Sequence, residues 1–331
     1  MNDALCCWTE DQLRRLSGAG AVAHWQPLRV EASHRRFYRI SWRGADHASA
    51  TTFVAMSSPP ERENNRQFVT LVRLFAGHGI GVPRLLAADE ELGYFLVSDL
   101  GENHFEDVYH RQGPQSVLPA ALDTLHLLQK IHHPAIPPYT RERFETELGI
   151  YVTWCLGHLL NMQAPPSLSD AFEQLVDSTQ AQPSCCVHRD YHCRNLLLTP
   201  EGTLGVVDFQ DALMGPATYD LASLLRDCYY RFDDADVARW RDAWLAGTSL
   251  EVDRSRFARD LDFTALQRQL KAVGIFARLS LRDGRETHLS HIVPVLERIE
   301  TLSRAYPELS CLTEHTADVL PDARRRLGTE A

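Results

Sequence analysis

The sequence predicts an α+β protein of two lobes, a small N-terminal lobe built on an antiparallel sheet and a larger, mostly helical C-terminal lobe. Three observations carry this. Strand-like runs at 25–30, 37–42, 52–56 and 94–98 crowd the first hundred residues, while apolar stripes of helical period dominate beyond residue 120. Within the helical part, three short apolar runs at 185–187, 196–198 and 204–207 frame a cluster of polar residues. The lobes are drawn at 1–100 and 101–331. A length of 331 residues with 44% apolar content suffices for buried cores.

In the first lobe, Thr9-Glu10-Asp11-Gln12 ahead of Leu13 and Leu16 reads as a helix start. The turn between the first two strands carries Ser33, His34, Arg35 and Arg36, hydroxyl and basic side chains suited to phosphate oxygens. The strand 52–56 ends in Met56. Ser57-Ser58-Pro59-Pro60 then reads as a helix cap with proline near the first turn, ahead of the stripe Phe68, Leu71, Val72 and Phe75, which Gly77 and Gly79 close. Glu63 reads as a solvated first-turn acid, with an ion-pair partner as the alternative. After the strand Tyr94 to Ser98, Asp99-Leu100-Gly101 is a natural hinge between the lobes.

In the second lobe, Leu122, Leu125, Leu128 and Ile131 form a helical stripe that stops before His132-His133-Pro134. A helix is expected over 144–160, with Tyr151 and Trp154 packing inside it, and 163–166 breaks it. After the polar cluster, Asp220 opens a helix bearing Leu221, Leu224, Leu225 and Cys228 on one face. The remainder reads as helical.

The polar cluster is where the chemistry concentrates. It runs Val187-His188-Arg189-Asp190-Tyr191-His192-Cys193-Arg194-Asn195, then Val206-Val207-Asp208-Phe209-Gln210-Asp211. Short strands with Thr199-Pro200-Glu201-Gly202 as the turn would bring Asp190, Asn195 and Asp208 together. Phosphoryl transfer needs a group to position the acceptor hydroxyl and oxygen ligands for Mg²⁺ beside the phosphates. Asp190 suits the first task, and Asn195 and Asp208 the second. Such residues also cap turns and end strands, but that use does not require His-x-Asp-x-x-x-x-Asn followed by a strand ending in Asp-Phe. His188 reads as structural. His192, Arg194 and Asp211 stand nearest in sequence to the acceptor loops and are candidates for substrate contact.

This pattern resembles the catalytic and metal-binding loops of the protein-kinase-like fold. With Gly215-Pro-Ala-Thr-Tyr-Asp-Leu-Ala222 and Ser33-His-Arg-Arg-Phe-Tyr-Arg39, it resembles the aminoglycoside phosphotransferase family of small-molecule kinases, on the branch of bacterial anomeric kinases of N-acetylmuramate and N-acetylglucosamine. The resemblance covers most of the chain. It implies ATP and Mg²⁺ as cofactors, with Asp190 orienting or deprotonating a sugar hydroxyl and Asn195 and Asp208 holding the metal. It also implies phosphate contact from Ser33, His34, Arg35 and Arg36, adenine contact along Ser98, Asp99 and Leu100, and support of the catalytic loop from Asp220. Transfer to the anomeric hydroxyl of an amino sugar would give a sugar 1-phosphate for cell-wall recycling. Two departures stand out: the turn at 31–36 has no glycine, and Met56 occupies the place of the strand lysine. An aminoglycoside or choline-like kinase shares the catalytic motifs. A nucleotide-binding pseudokinase regulator would account for Met56, but the joint presence of Asp190, Asn195 and Asp208 argues against it.

Composition narrows the classes further. A formal charge of −10 argues against a nucleic-acid surface. No stretch of eighteen apolar residues and no leader-like start is present, so a cytoplasmic protein without membrane contact is expected. Eight cysteines without paired Cys-x-x-Cys units read as reduced thiols. The expected partner is a small-molecule amino sugar, and nothing in the sequence calls for an obligate protein partner. Only two lysines, Lys130 and Lys271, are available to any nucleotide.

Overall fold

The computed structural model describes residues 3–28, 34–44 and 50–328. The chain forms two compact units, one of residues 1–128 with 194–210 and one of 129–193 with 211–331. It therefore passes between them three times, and the expected hinge at Asp99 to Gly101 lies within the first unit.

The first unit is built on a five-stranded antiparallel sheet. Its strands are β1 (Gly20–Pro27), β2 (Arg36–Gly44), β3 (Thr51–Ser57), β4 (Leu85–Asp89) and β5 (Tyr94–Ser98), in the order β1-β2-β3-β5-β4. Helix α1 (Asp3–Ser17) begins six residues before the expected start at Thr9. Leu5, Thr9 and Leu13, spaced at i, i+4 and i+8, are fully buried, so the inner stripe extends the helix back past the local cap signal. Leu13 packs with Ile40, Trp42, Ala55 and Leu96 into the core of the sheet. Met56 is buried in β3, opposite Phe37 of β2 and Phe95 of β5.

Helix α2 (Asn65–Gly77) departs from its expected cap. Asn64 accepts the amide of Gln67 at 3.0 Å, whereas Ser58 is buried, donates to Asn65 Oδ1 at 2.6 Å and accepts from Arg35 at 3.1 Å. A tertiary bond has taken the hydroxyl that the local pattern assigned to the helix end. Helices α3 (Phe105–Gln112) and α4 (Leu118–Gln129) follow, with Leu122, Leu125 and Leu128 buried.

The second unit opens with α5 (Arg141–Ile150), which runs on as a π-helix from Tyr151 to Leu160 instead of the single α-helix expected. Gly274 crosses this junction so closely that a Cβ there would lie 2.5 Å from the Tyr151 nitrogen. Tyr151 is buried with its hydroxyl 3.0 Å from His315, a packing position. Helix α6 (Ser167–Gln180) leads to β6 (Ser184–Val187). The chain then enters the first unit as a hairpin of β7 (Leu196–Leu198) and β8 (Leu204–Val206), with the turn at 199–202 as the sequence predicts. Gly81 receives it. A Cβ on Gly81 would meet the Leu204 carbonyl at 2.1 Å, and the Val206 amide donates to the Gly81 carbonyl at 2.9 Å.

Back in the second unit, β9 (Leu213–Pro216) pairs with β6. Helices α7 (Tyr219–Leu225), α8 (Asp234–Gly247), α9 (Phe257–Asp283), α10 (Leu289–Ser303) and α11 (Ser310–Leu327) complete it. The long α9 is its spine, with Phe263, Leu266, Leu270 and Val273 buried in a core shared with Ile292 and Leu296 of α10. The eight cysteines are free thiols. No described helix is long and apolar enough to cross a membrane.

Candidate active site

In the second unit, β6 delivers the chain into a turn in which Arg189 adopts a left-handed φ of +79°. A bulky residue holds that conformation only when its surroundings over-determine it, and such strain gathers at functional sites. The surroundings are visible. Asp220, fully buried on α7, accepts the amide of His188 at 2.6 Å and of Arg189 at 2.9 Å. Its carboxylate is therefore spent on the turn at His188 and Arg189 and does not cap its own helix. Burial, with nearby Asp190 adding repulsion, outweighs those bonds and pushes the Asp220 carboxyl up to about 7. His188 is buried, its Nδ1 taking the Asp190 amide at 3.3 Å. The side chain of Arg189 ion-pairs with Glu147 of α5 and lies over the Tyr139 ring.

Asp190 stands out of this frame. Its side chain is 41% exposed, which leaves room for a substrate hydroxyl, and Arg268 of α9 lies 3.7 Å away. Burial raises its carboxyl, but the charges of Lys271, His192, Arg189 and Arg268 outweigh that and hold it well below the usual carboxylate range. It is ionised at any physiological pH and can accept hydrogen bonds.

Three members of this frame carry no sequence motif: Glu147, Lys271 and Arg268. Lys271 lies 3.3 Å from Glu147, and Tyr139 donates its hydroxyl to the same carboxylate. All three charged residues are buried. The available signal was a charge at an apolar phase of a helix, Lys271 between Leu270 and Val273 and Glu147 beside Leu148.

The first unit holds the metal candidates. Across the β7–β8 hairpin the Val207 amide donates to the Asn195 carbonyl at 3.0 Å, which brings Asn195 and Asp208 to one end of the hairpin. Asp208 has a left-handed φ of +64°, is exposed, and accepts from Gln210 at 2.7 Å. The adjoining Phe209 anchors it, buried against Phe68 at 5.8 Å and Phe75 at 5.6 Å. An amide oxygen and a carboxylate are hard donors that fit Mg²⁺, which takes one or two protein oxygens and completes its shell from phosphates and water. Among the described residues, no group of three or more His, Cys, Asp or Glu is placed to hold a metal ion by itself.

The remaining candidates fall as follows. Arg194 forms a two-point ion pair with Glu106 of α3, at 2.9 and 3.0 Å. His104 meets the Arg194 carbonyl at 2.7 Å. Asp211 is exposed in the second unit, and the His192 ring packs against Tyr229. Ser33 lies outside the described residues. His34 is exposed, and its amide donates to Glu63 at 3.1 Å. Arg35 is turned inward, bonded to Ser58 and paired with Glu63 at 3.3 Å, so Glu63 is an ion-pair partner and not a solvated acid. Arg36 is exposed at the start of β2. Ser98 takes the Arg84 amide at 2.9 Å. Asp99 is gripped by Arg39 at 2.6 and 2.9 Å and by the Gly101 amide. Those bonds outweigh the effect of burial and lower its carboxyl. Arg39 also bonds the Gly101 carbonyl and pairs with Glu102, so it organises the turn on which Leu100 sits. In the sequence Arg39 closes the Ser33–Arg39 stretch, with no role in this turn assigned to it.

A carboxylate kept ionised on a buried cationic frame, and an amide and a carboxylate set together by a hairpin, are the working parts of a kinase-like phosphotransferase. That is the class this fold and chemistry define. Residues 24–259 match the phosphotransferase enzyme family, and the chain belongs to it. It is 36% identical to the N-acetylmuramate/N-acetylglucosamine kinase of Pseudomonas aeruginosa, over 95% of this chain and 96% of that one. The enzyme of the same name from Pseudomonas putida is 32% identical over 97% of each. Among solved structures, the choline kinase of Streptococcus pneumoniae shares the fold with a TM-score of 0.64 at 12% identity, covering 92% of this chain and all of that one.

Proposed function

We propose that the protein is an ATP-dependent kinase that phosphorylates the anomeric hydroxyl of N-acetylmuramate and N-acetylglucosamine. The observation that carries this is full-length similarity to the Pseudomonas aeruginosa enzyme of that name. The sugar 1-phosphate so made would feed recycling of cell-wall sugars toward a nucleotide sugar. Residues 1–100 serve the nucleotide and residues 101–331 supply most of the chemistry and the acceptor site. Arg36 and His34 meet the phosphates, and the backbone of Ser98 to Leu100 meets the adenine.

In the reaction, the anomeric oxygen forms a bond to the γ-phosphorus as the bond to the β–γ bridging oxygen breaks, and ADP leaves. Asp190 accepts the hydroxyl proton. Because that carboxyl is a weak base, its main contribution is to orient the hydroxyl, with proton transfer late, as suits a loose transition state. Asn195 and Asp208 would hold Mg²⁺, which would supply positive charge beside the phosphate oxygens. Asp220, Arg189 and Glu147 hold the loop that presents Asp190.

The test is a panel of both amino sugars, an aminoglycoside and choline, each with ATP and Mg²⁺, read by phosphorus NMR and by loss of the sugar's reducing end. Sugar 1-phosphate is expected. Phosphorylation of choline or the aminoglycoside alone would replace this reading, and magnesium-dependent ATP binding without transfer to any acceptor would make the chain a nucleotide-binding regulator.

A further inference from the structure

The second unit contains a group of aromatic and imidazole rings that the phosphoryl-transfer chemistry does not use. Tyr229, just beyond α7, meets His192 at 5.1 Å and 75°, and His291 of α10 at 5.2 Å and 88°. Behind them the Phe276 and His288 rings stack at 5.2 Å and are buried, while Tyr229, His192 and His291 are partly exposed. His192 belongs to the catalytic loop, two residues after Asp190.

This group is fastened to the catalytic loop. Asp227, buried, accepts the amide of Cys193 at 3.1 Å with one carboxylate oxygen and the amide of Tyr229 at 2.8 Å with the other. Arg298 of α10 donates to the carbonyls of Asp227 and Cys228. One carboxylate thus sets the backbone of Tyr229 against the loop that carries Asp190, and a guanidinium bonds the carbonyls of Asp227 and Cys228 beside it. A cluster meant only for packing has no need of imidazoles at its exposed edge or of ion-assisted bonds to the catalytic loop.

We propose that Tyr229, flanked by His192 and His291, is the platform on which the acceptor sugar ring lies. The proposal rests on the reading of the protein as a kinase of N-acetylated amino sugars. A pyranose presents a C–H face, which an aromatic ring receives, and a rim of hydroxyl and acetamido groups, for which imidazole nitrogens supply donors and acceptors.

The test is steady-state kinetics of Tyr229→Ala, Tyr229→Phe and His291→Ala with both sugars, varying sugar and ATP separately, with thermal unfolding of each variant. Tyr229→Ala should raise the KM for sugar about tenfold or more while the KM for ATP stays within about twofold, and Tyr229→Phe should raise it less. His291→Ala should raise the sugar KM severalfold and carries the same expectation should Tyr229→Ala fail to fold. Unchanged sugar KM in the folded variants overturns the platform and leaves the proposed activity standing. A parallel rise in both KM values with a lowered Tm overturns it in favour of packing. A wild-type enzyme inactive on both sugars overturns the activity itself, and the platform with it.

Discussion

Arg35 and Glu63 form an ion pair at 3.3 Å inside the first unit, with the arginine 3% exposed and its guanidinium 5.3 Å from the Phe68 ring. The relationship bears on the lysine that this fold normally carries where Met56 stands. A guanidinium already paired with Glu63, bonded to Ser58 and set over an aromatic face is an internal support. At the same turn Arg36 is exposed, and it is the one of the two to which the phosphate contact is proposed to fall.

The two arginines should therefore separate in experiment. Arg36→Ala is expected to raise the KM for ATP about fivefold to tenfold with little change in Tm, as loss of a charge-assisted contact does. Arg35→Ala leaves Glu63 without its buried partner and should cost about 3–5 kcal/mol of stability. Urea unfolding and ATP kinetics on both variants check this. A stable Arg35→Ala enzyme with weakened ATP binding would reverse the roles.

Asp190→Asn keeps the size of the side chain but removes the charge that Arg268 and Lys271 face. Turnover should fall by about 10²-fold or more while the KM for ATP stays near wild type. Rapid-quench or steady-state assays read this directly. Near-normal turnover would remove Asp190 from the chemistry.

Asp208 is expected to act through the metal. Asp208→Asn retains a residue type that tolerates the left-handed φ of +64° but removes the negative charge and leaves one neutral oxygen donor at that position. ATP titrations at varied Mg²⁺ should show a higher magnesium requirement, and turnover should fall by about 10²-fold, as loss of an electrostatic group at the transferred phosphate does. Indifference of ATP binding to magnesium in the wild type would contradict the assignment.

How far the sequence foretells this structure depends on how local each cause is. Strand β5 and the β7–β8 hairpin are apolar runs bounded by turn residues, and both appear at the expected positions. The cap of α2 was misread because the deciding partners of Ser58 are Arg35 and Asn65, one of them 23 residues away. The division of the chain was hidden for the same reason. Residues 194–210 join the first unit through the close approach of Leu204 to Gly81, more than a hundred residues earlier, and no window of sequence contains both. Asp190, Asn195 and Asp208 stand out in the sequence because they fall at a motif spacing within one short stretch of chain. Glu147, Lys271 and Arg268 sit singly on helices, where only their charge at an apolar phase marks them.

Glu147 offers the pH test of that hidden frame. Burial raises its carboxyl, but Lys271 and Arg189 outweigh it, and the folded value lies below the ordinary 4.5. A carboxylate lowered on folding contributes stability that is fully present above its unfolded value and lost as pH falls through the folded one. Glu147→Gln should thus be less stable than wild type by about 3–5 kcal/mol near neutral pH, because Lys271 and Arg189 lose a buried partner. The gap should hold down to the ordinary carboxylate range and narrow below it. Asp220, raised to about 7, has the opposite sign and destabilises as pH rises toward that value, but it is present in both proteins and cancels in the difference. Denaturant unfolding of both proteins from pH 8 to pH 3 measures the gap. A difference independent of pH would mean that the pair is held by packing, with the charge of Glu147 contributing nothing to the loop that presents Asp190.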